Sequence, residues 1–290
     1  MQAEAPQTWT VGSLVKWATD DFQARGIESP RLDAELIVAH ALAITRTQVI
    51  IDAQRPLADV ELAKLRALVK RRRAREPMAY LLGQREFYGR VFKVDKRVLV
   101  PRPDTETLVD VALERTRACS MSMRLLDLCT GSGCVAITLA RERPTSRVTA
   151  TDVSADALEV ARANAQRLGA YNVAFVEGDL YAPVAGARFD VITANAPYIA
   201  TSEIATLMPD VRDFEPRLAL DGGADGLDLV RRIVADAHGV LVPGGVLALE
   251  VGAGEAPAVA ALLSEHGFAS VDVRRDYGKI ERVVSGARPR

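Results

Sequence analysis

The sequence predicts an α/β protein: a parallel sheet covered by helices on both faces, preceded by a smaller, all-helical part. Two observations carry this. From Arg124 onward, short apolar runs alternate with amphipathic stretches, as expected for buried strands joined by crossover helices. Over residues 1–84 the apolar positions instead recur at helical spacing.

Taken in order, Val11, Leu14, Val15, Ala18 and Phe22 mark a first helix that Gly26 stops. A second fits Arg31 to Ala43 with Pro30 at its start, and a third runs from about Ala58 to Arg75. Its basic end, Lys70 to Arg75, has two readings: favourable charge–dipole placement on a solvated face, or a docking patch for a partner bound to RNA. Glu86–Tyr88 and Val91–Val94 read as a hairpin around Gly89, and Val98–Val100 as an extended piece before Pro101 and Pro103. Residues 85–100 are therefore expected to link a helical domain, 1–84, to a second domain, 101–290. Asp104 or Thr105 caps a helix that runs to about Cys119.

The strands follow at Leu125–Leu128, Val148–Thr151, Val173–Val176, Val191–Ala194 and Val246–Val251. Val135–Ala140, Ala155–Leu168 and Leu227–Val240 supply helices between them. Two further strands, near Ala269–Arg274 and Glu281–Ser285, close the chain.

Composition narrows the function. The 290 residues are 49% hydrophobic and 26% charged, ordinary for a water-soluble globular protein. A net charge of −1 argues against a broad polyanion-binding surface, so no direct DNA binding is expected. Cys119, Cys129 and Cys134 lack zinc spacing and read as reduced thiols, and His40, His238 and His266 are scattered, so no metal site is expected. The N-terminus lacks the basic and apolar regions of a secretory signal, and no apolar run is long enough to span a bilayer. A cytoplasmic monomer is the expectation.

The chemistry is sought where strands end. Phe189 to Ala194 forms a strand that must leave the sheet at Asn195-Ala196-Pro197-Tyr198, because Pro197 cannot donate to a ladder and restrains Ala196 before it. Ligands of open α/β sheets bind at that carboxyl edge. The first strand ends in Cys129-Thr130-Gly131-Ser132-Gly133, where two glycines permit a sharp turn and the following helix directs N–H groups at an anionic ligand. A dinucleotide fingerprint has the same spacing, so this loop alone discriminates weakly. Asp152, ending the second strand, suits ribose hydroxyls, the alternative being a helix cap that Ser154 already offers. Asp179 with Leu180, after the third strand, suits an adenine amine, or else a simple turn.

Together these pieces resemble the class I S-adenosylmethionine-dependent methyltransferases, a resemblance that implies a Rossmann-like sheet with a terminal antiparallel pair and a methionine carboxylate near the glycine loop. Cys129 stands where that family usually has a third glycine. Asn195 to Tyr198 resembles the Asn-Pro-Pro-Tyr motif of methyltransferases that act on planar nitrogens, with Ala196 in place of the first proline. Such a nitrogen is a poor nucleophile, because its lone pair is delocalised. Two acceptors aimed at its N–H bonds fix its orientation as the methyl arrives. The Asn195 side-chain oxygen and the Ala196 carbonyl fit that role, with Tyr198 packing on the planar group.

The segments REPMAYLLGQREFYG, VLVPRPDTETLVD, LDLCTGSGCVAITLA, NAPYI and EPRLALDGGADGLDL occur in the order found in the peptide-chain release factor glutamine methyltransferases, the HemK/PrmC family. The resemblance implies N5-methylation of the glutamine in the Gly-Gly-Gln loop of class I release factors, with the N-terminal helices holding that partner. It also places Arg102, Thr105 and Glu106 in a segment that roofs the cofactor, although helix capping and a surface ion pair explain them nearly as well. Three rivals are weaker. An adenine-N6 nucleic-acid methyltransferase fits poorly with a net charge of −1, a single basic run at Lys70–Arg75 and no obvious target-recognition insertion; a non-catalytic donor-binding adaptor does not need Asn195, Pro197, Tyr198 and Asp152; and a nucleotide-dependent oxidoreductase leaves the Asn195 loop unexplained.

Overall fold

A computed structural model describes residues 9–117 and 122–290, and the chain divides into two compact units. The first comprises the chain through Gly83 together with Pro209–Phe214, and the second Gln84–Met208 with Glu215–Arg290.

The first unit packs α1 (Val11–Ala24), α2 (Pro30–Leu42), α3 (Arg46–Ile51), α4 (Asp59–Arg73) and α5 (Met78–Leu82) around a core that includes Val11, Phe22, Ile37 and Leu65. Thr10 caps α1 by accepting from the Ser13 N–H, and α2 begins on Pro30 and ends at Ala43 in the left-handed region. The short α3 and α5 were not legible in the sequence. Each is too brief to display a helical period.

The basic run at the end of α4 is divided: Lys70, Arg71 and Arg73 are exposed, as a solvated face requires, whereas Arg72 turns inward. Arg72 is buried and its guanidinium pairs with Asp33 of α2 (2.8 Å) and with Asp210 (2.6 Å) of the short helix α9 (Pro209–Arg212). Arg75 pairs with Asp210 at 2.6 Å, while Arg71 and Arg73 pair with Glu76 and Asp21. Burial pushes the Asp33 carboxyl up, and the adjacent Arg72 opposes that rise. This cluster ties α9, distant in sequence, to α2 and α4.

The second unit opens with an antiparallel hairpin, β1 (Gln84–Phe87) and β2 (Arg90–Lys93), turned through Tyr88 and Gly89 with positive φ at both. Read from sequence as a linker, it instead contributes Phe87 and Phe92 to the core of this unit. Next come α6 (Glu106–Arg115), β3 (Arg124–Leu128), α7 (Cys134–Glu142), β4 (Arg147–Asp152), α8 (Ala155–Leu168), β5 (Val173–Glu177) and β6 (Phe189–Ala194). After α9 the chain continues through α10 (Asp228–Ala237), β7 (Leu241–Glu250), α11 (Ala256–Glu265), β8 (Ala269–Arg275) and β9 (Glu281–Ala287). α6 ends earlier than expected, and Cys119 lies outside the described residues.

The seven-stranded sheet has the order β5-β4-β3-β6-β7-β9-β8. Strands β5 to β7 are parallel, and β9 runs antiparallel to both β7 and β8. The order reverses at β3 and β6, whose neighbouring carboxyl ends therefore open a crevice. α11 was missed because its apolar and alanine-rich sequence shows no polar face.

Replacing Arg72 with Met would leave buried Asp33 without its ion-pair partner. The expected cost is about 3 kcal/mol, read as faster amide exchange along α4 and an earlier unfolding transition. An unchanged transition would show that the pairing contributes nothing.

Candidate active site

The carboxyl ends of β3 and β6 open into a cavity of about 430 Å³ within the second unit. The glycine loop forms its floor. Cys129, Thr130, Gly131 and Ser132 all line it, with Cys134 and Val135 from the start of α7. Gly133 supports this from behind, because at φ +80° any Cβ would lie 2.8 Å from the Ile137 side chain and 3.1 Å from Ala161. Cys129 also has positive φ, 54°, which an L side chain adopts only with strain. Burial pushes its thiol pKa well up, which disfavours the thiolate.

Asp152 and Asp179 both reach the cavity, as does Leu180. Asp152 accepts from the N–H of Gly131 and of Ser154, each at 2.9 Å, so it clamps the glycine loop as well as facing the cavity. Ser154, not Asp152, caps α8 through the Ala157 N–H. Asp179 pairs with Arg232 at 2.6 Å at the rim.

On the β6 side the structure brings Asn195 and Pro197 to the wall. Ala196 is buried in the core, and half-buried Tyr198 lies beside Glu250 and Arg282 rather than on the cavity wall. Burial, with the Glu250 charge adding, holds the Tyr198 phenol up at about 12. The loop is backed by close-packed glycines. A Cβ on Gly222 would lie 2.7 Å from the Pro197 carbonyl, and one on Gly226 would strike the Tyr198 carbonyl. The Gly222 N–H also donates to the Ile199 carbonyl at 2.8 Å.

Of the expected roof residues, Arg102 and Thr105 line the cavity and Glu106 does not. Glu106 accepts from the Tyr88 N–H at 2.7 Å and so fixes the hairpin turn. Arg102 pairs with buried Glu215 at 2.7 Å, which draws the following Pro216, Leu218 and Ala219 over the cavity. Thr105 caps nothing through its side chain; its hydroxyl accepts from Asn195 Nδ2 at 3.2 Å.

Two acids went unread in the sequence. Asp127, fully buried near the end of β3, accepts from Thr130 (2.6 Å) and from Thr193 of β6 (2.7 Å), so one carboxyl bolts the glycine loop to the strand that carries Asn195. Burial pushes it up to about 6, and those hydroxyls temper the rise. Its signal was an acid inside the otherwise apolar run Leu125 to Leu128. Glu250, ending β7, is buried behind Asn195 and is likewise pushed up to about 7 by desolvation. Among the described residues no cluster of three or more His, Cys, Asp or Glu is placed to hold a metal, and no helix is long and apolar enough to cross a membrane.

A parallel sheet ending in an antiparallel pair, with a glycine loop and an acid after each of the next two strands, defines a class I methyltransferase. A solved methyltransferase from Pyrococcus furiosus shares that fold, with a TM-score of 0.53 and 22% identity, over 70% of this chain and 91% of that one. Family models match at residues 13–83, the PrmC N-terminal domain, and at 104–210, the methyltransferase small domain. The release factor glutamine methyltransferase of Geobacter sulfurreducens is 41% identical over 98% of both chains. That of Chlorobaculum tepidum is 43% identical over 96% of this chain and 97% of its own. The chain belongs to the release factor glutamine methyltransferase family.

Two predictions follow from this geometry. If Cys129 is strained, Cys129→Gly will be more stable than Cys129→Ala by about 1 kcal/mol, the reverse of the usual order, and a more stable alanine variant would rule the strain out. A raised Asp127 pKa means that the native state holds a proton which the unfolded chain, at 3.8, has already released. Between about pH 4 and 6 this carboxyl therefore makes stability fall as pH rises. Urea midpoints of wild type and Asp127→Asn, compared across that window, should diverge with the wild type losing ground as pH rises; parallel curves would contradict it.

Proposed function

We propose that this protein methylates N5 of the glutamine in the Gly-Gly-Gln loop of class I peptide-chain release factors, with S-adenosylmethionine as donor. The observation that carries the reading is Asn195 on the wall of a cavity whose floor is a glycine loop, in a chain of this family. The donor fits the residues present. The cavity has the volume of a small-molecule site, Asp152 and Asp179 stand at two strand ends, and α7 begins against the floor, suited to a carboxylate. Cys129 to Gly133, Asp152, Asp179 and Leu180 would hold it, and Arg102 and Thr105 would close over it. When bound, the donor supplies an electrophilic methyl group on a cationic sulfur.

The chain's own residues then orient the acceptor. Asn195 Oδ1 accepts one N–H of the glutamine carboxamide and the Ala196 carbonyl accepts the other, leaving the nitrogen facing the donor. Both acceptors also stabilise the positive charge that builds on that nitrogen until its proton leaves to solvent. Ala196 in place of proline keeps this carbonyl, because Pro197 still restrains the backbone. Tyr198 braces the loop from behind, against Glu250 and Arg282. The helical first unit would hold the release factor, the protein acting as a monomer in the cytoplasm.

The test is mass analysis of a release factor co-expressed with the protein. The reading expects one added methyl on the Gly-Gly-Gln glutamine, and an unmodified factor would contradict it. Asn195→Ala should lower transfer by about 10²-fold while donor binding survives. Transfer at the original rate would remove Asn195 from the mechanism.

A further inference from the structure

We propose that Asn164, a buried side chain of α8, is a positioning residue for the methyl donor: it keeps the Ser132 carbonyl of the cavity floor turned toward α8 and away from the donor's carboxylate. The inference rests on the donor reading given above and extends it to a residue that does not itself line the cavity.

Asparagine is a weak helix former, and a primary amide sealed from water costs free energy unless its hydrogen-bonding sites are filled. Asn164 is fully buried inside α8 and fills three of them. Its Nδ2 donates to the Ser132 carbonyl and to the Lys93 carbonyl, each at 3.0 Å, and its Oδ1 accepts from the Lys93 N–H at 2.7 Å. Two donors and one acceptor on so short an arm are a combination that no other side chain of this size offers. Three residues earlier, on the same face of α8, Ala161 lies against Gly133. The helix therefore sets the cavity floor and the hairpin β1-β2 as one piece.

The Ser132 carbonyl needs such a partner. The backbone ladder of α7 starts with the Ile137 N–H on the Gly133 carbonyl (2.9 Å), so the Ser132 carbonyl stands one residue outside it. Glycine accepts either sign of φ, so the Ser132–Gly133 peptide can swing unless it is tied. Here it is tied at both ends, the carbonyl to Asn164 and the Gly133 N–H to the Thr130 carbonyl (2.8 Å). Ser132 lines the cavity where α7 begins, and free N–H groups with the helix dipole favour an anion there. A released carbonyl would bring its partial negative charge to the same place. The carboxylate end of the donor is thus the part that depends on Asn164, whereas the nucleoside end, toward Asp152 and Asp179, does not.

The experiment measures calorimetric binding of two probes to the purified full chain. S-adenosylhomocysteine carries the amino-acid carboxylate, and methylthioadenosine carries the same nucleoside and sulfur without it. Asn164→Leu matches the volume of the side chain and offers no donor. Asn164→Ser keeps one hydroxyl donor and is the milder variant should the leucine chain not fold. Leucine should weaken S-adenosylhomocysteine by about 20-fold and methylthioadenosine by less than about threefold. Serine should show the same selectivity with a smaller loss. The proposal is overturned if both probes weaken alike, as a merely loosened floor would make them, or if neither weakens. Wild type separates the failures: if it binds neither probe, the donor reading is wrong, whereas if it binds both and the variants do not discriminate between them, only the role of Asn164 is.

Discussion

A single buried carboxyl holds the site together. Asp127 stands near the end of β3, with one oxygen on Thr130 of the glycine loop and the other on Thr193 of β6. These two partners belong to the two halves of the chemistry, the floor that would carry a methyl donor and the strand that delivers Asn195. A charge placed so deep is costly unless hydrogen-bonded, and here both oxygens are. The distance between donor loop and acceptor loop is thereby fixed by two short bonds rather than by the packing of distant helices.

The same economy appears around the acceptor loop. Asn195 leaves the sheet where Pro197 forbids its continuation, and Gly222 and Gly226 let the returning chain press against the carbonyls of Pro197 and Tyr198. Arg102 and Glu215 draw a second segment over the cavity. Each device uses a residue type for a reason independent of this family: a missing N–H, a missing Cβ, a buried ion pair. Under the proposed function, the flat carboxamide that such a pocket would orient is the glutamine of a release factor.

The sheet was legible because its strands are buried on both faces and read as apolar runs, from Leu125–Leu128 through Val191–Ala194. That Asn195, Asp152 and the glycine loop stand at the cavity was legible because their signal is local, a turn residue or acid at the end of a strand. Asp127 and Glu250 were not. Their meaning depends on partners far along the chain, Thr193 lying 66 residues beyond Asp127, and an acid inside an apolar strand gives no hint of which hydroxyl it will meet. The inward-turned Arg72 within the basic run Lys70 to Arg75 was hidden for the same reason, since Asp210 lies 138 residues from it. Glu106 fell in the right segment but spends its carboxylate on the hairpin turn.

The most direct measurement is a crystal structure with the demethylated donor and a Gly-Gly-Gln peptide bound. The account predicts the glutamine NH2 between Asn195 Oδ1 and the Ala196 carbonyl, its nitrogen turned to the donor sulfur, with Asp127 still bridging Thr130 and Thr193. A carboxamide bound elsewhere, or an Asn195 amide turned away from the sulfur, would contradict it.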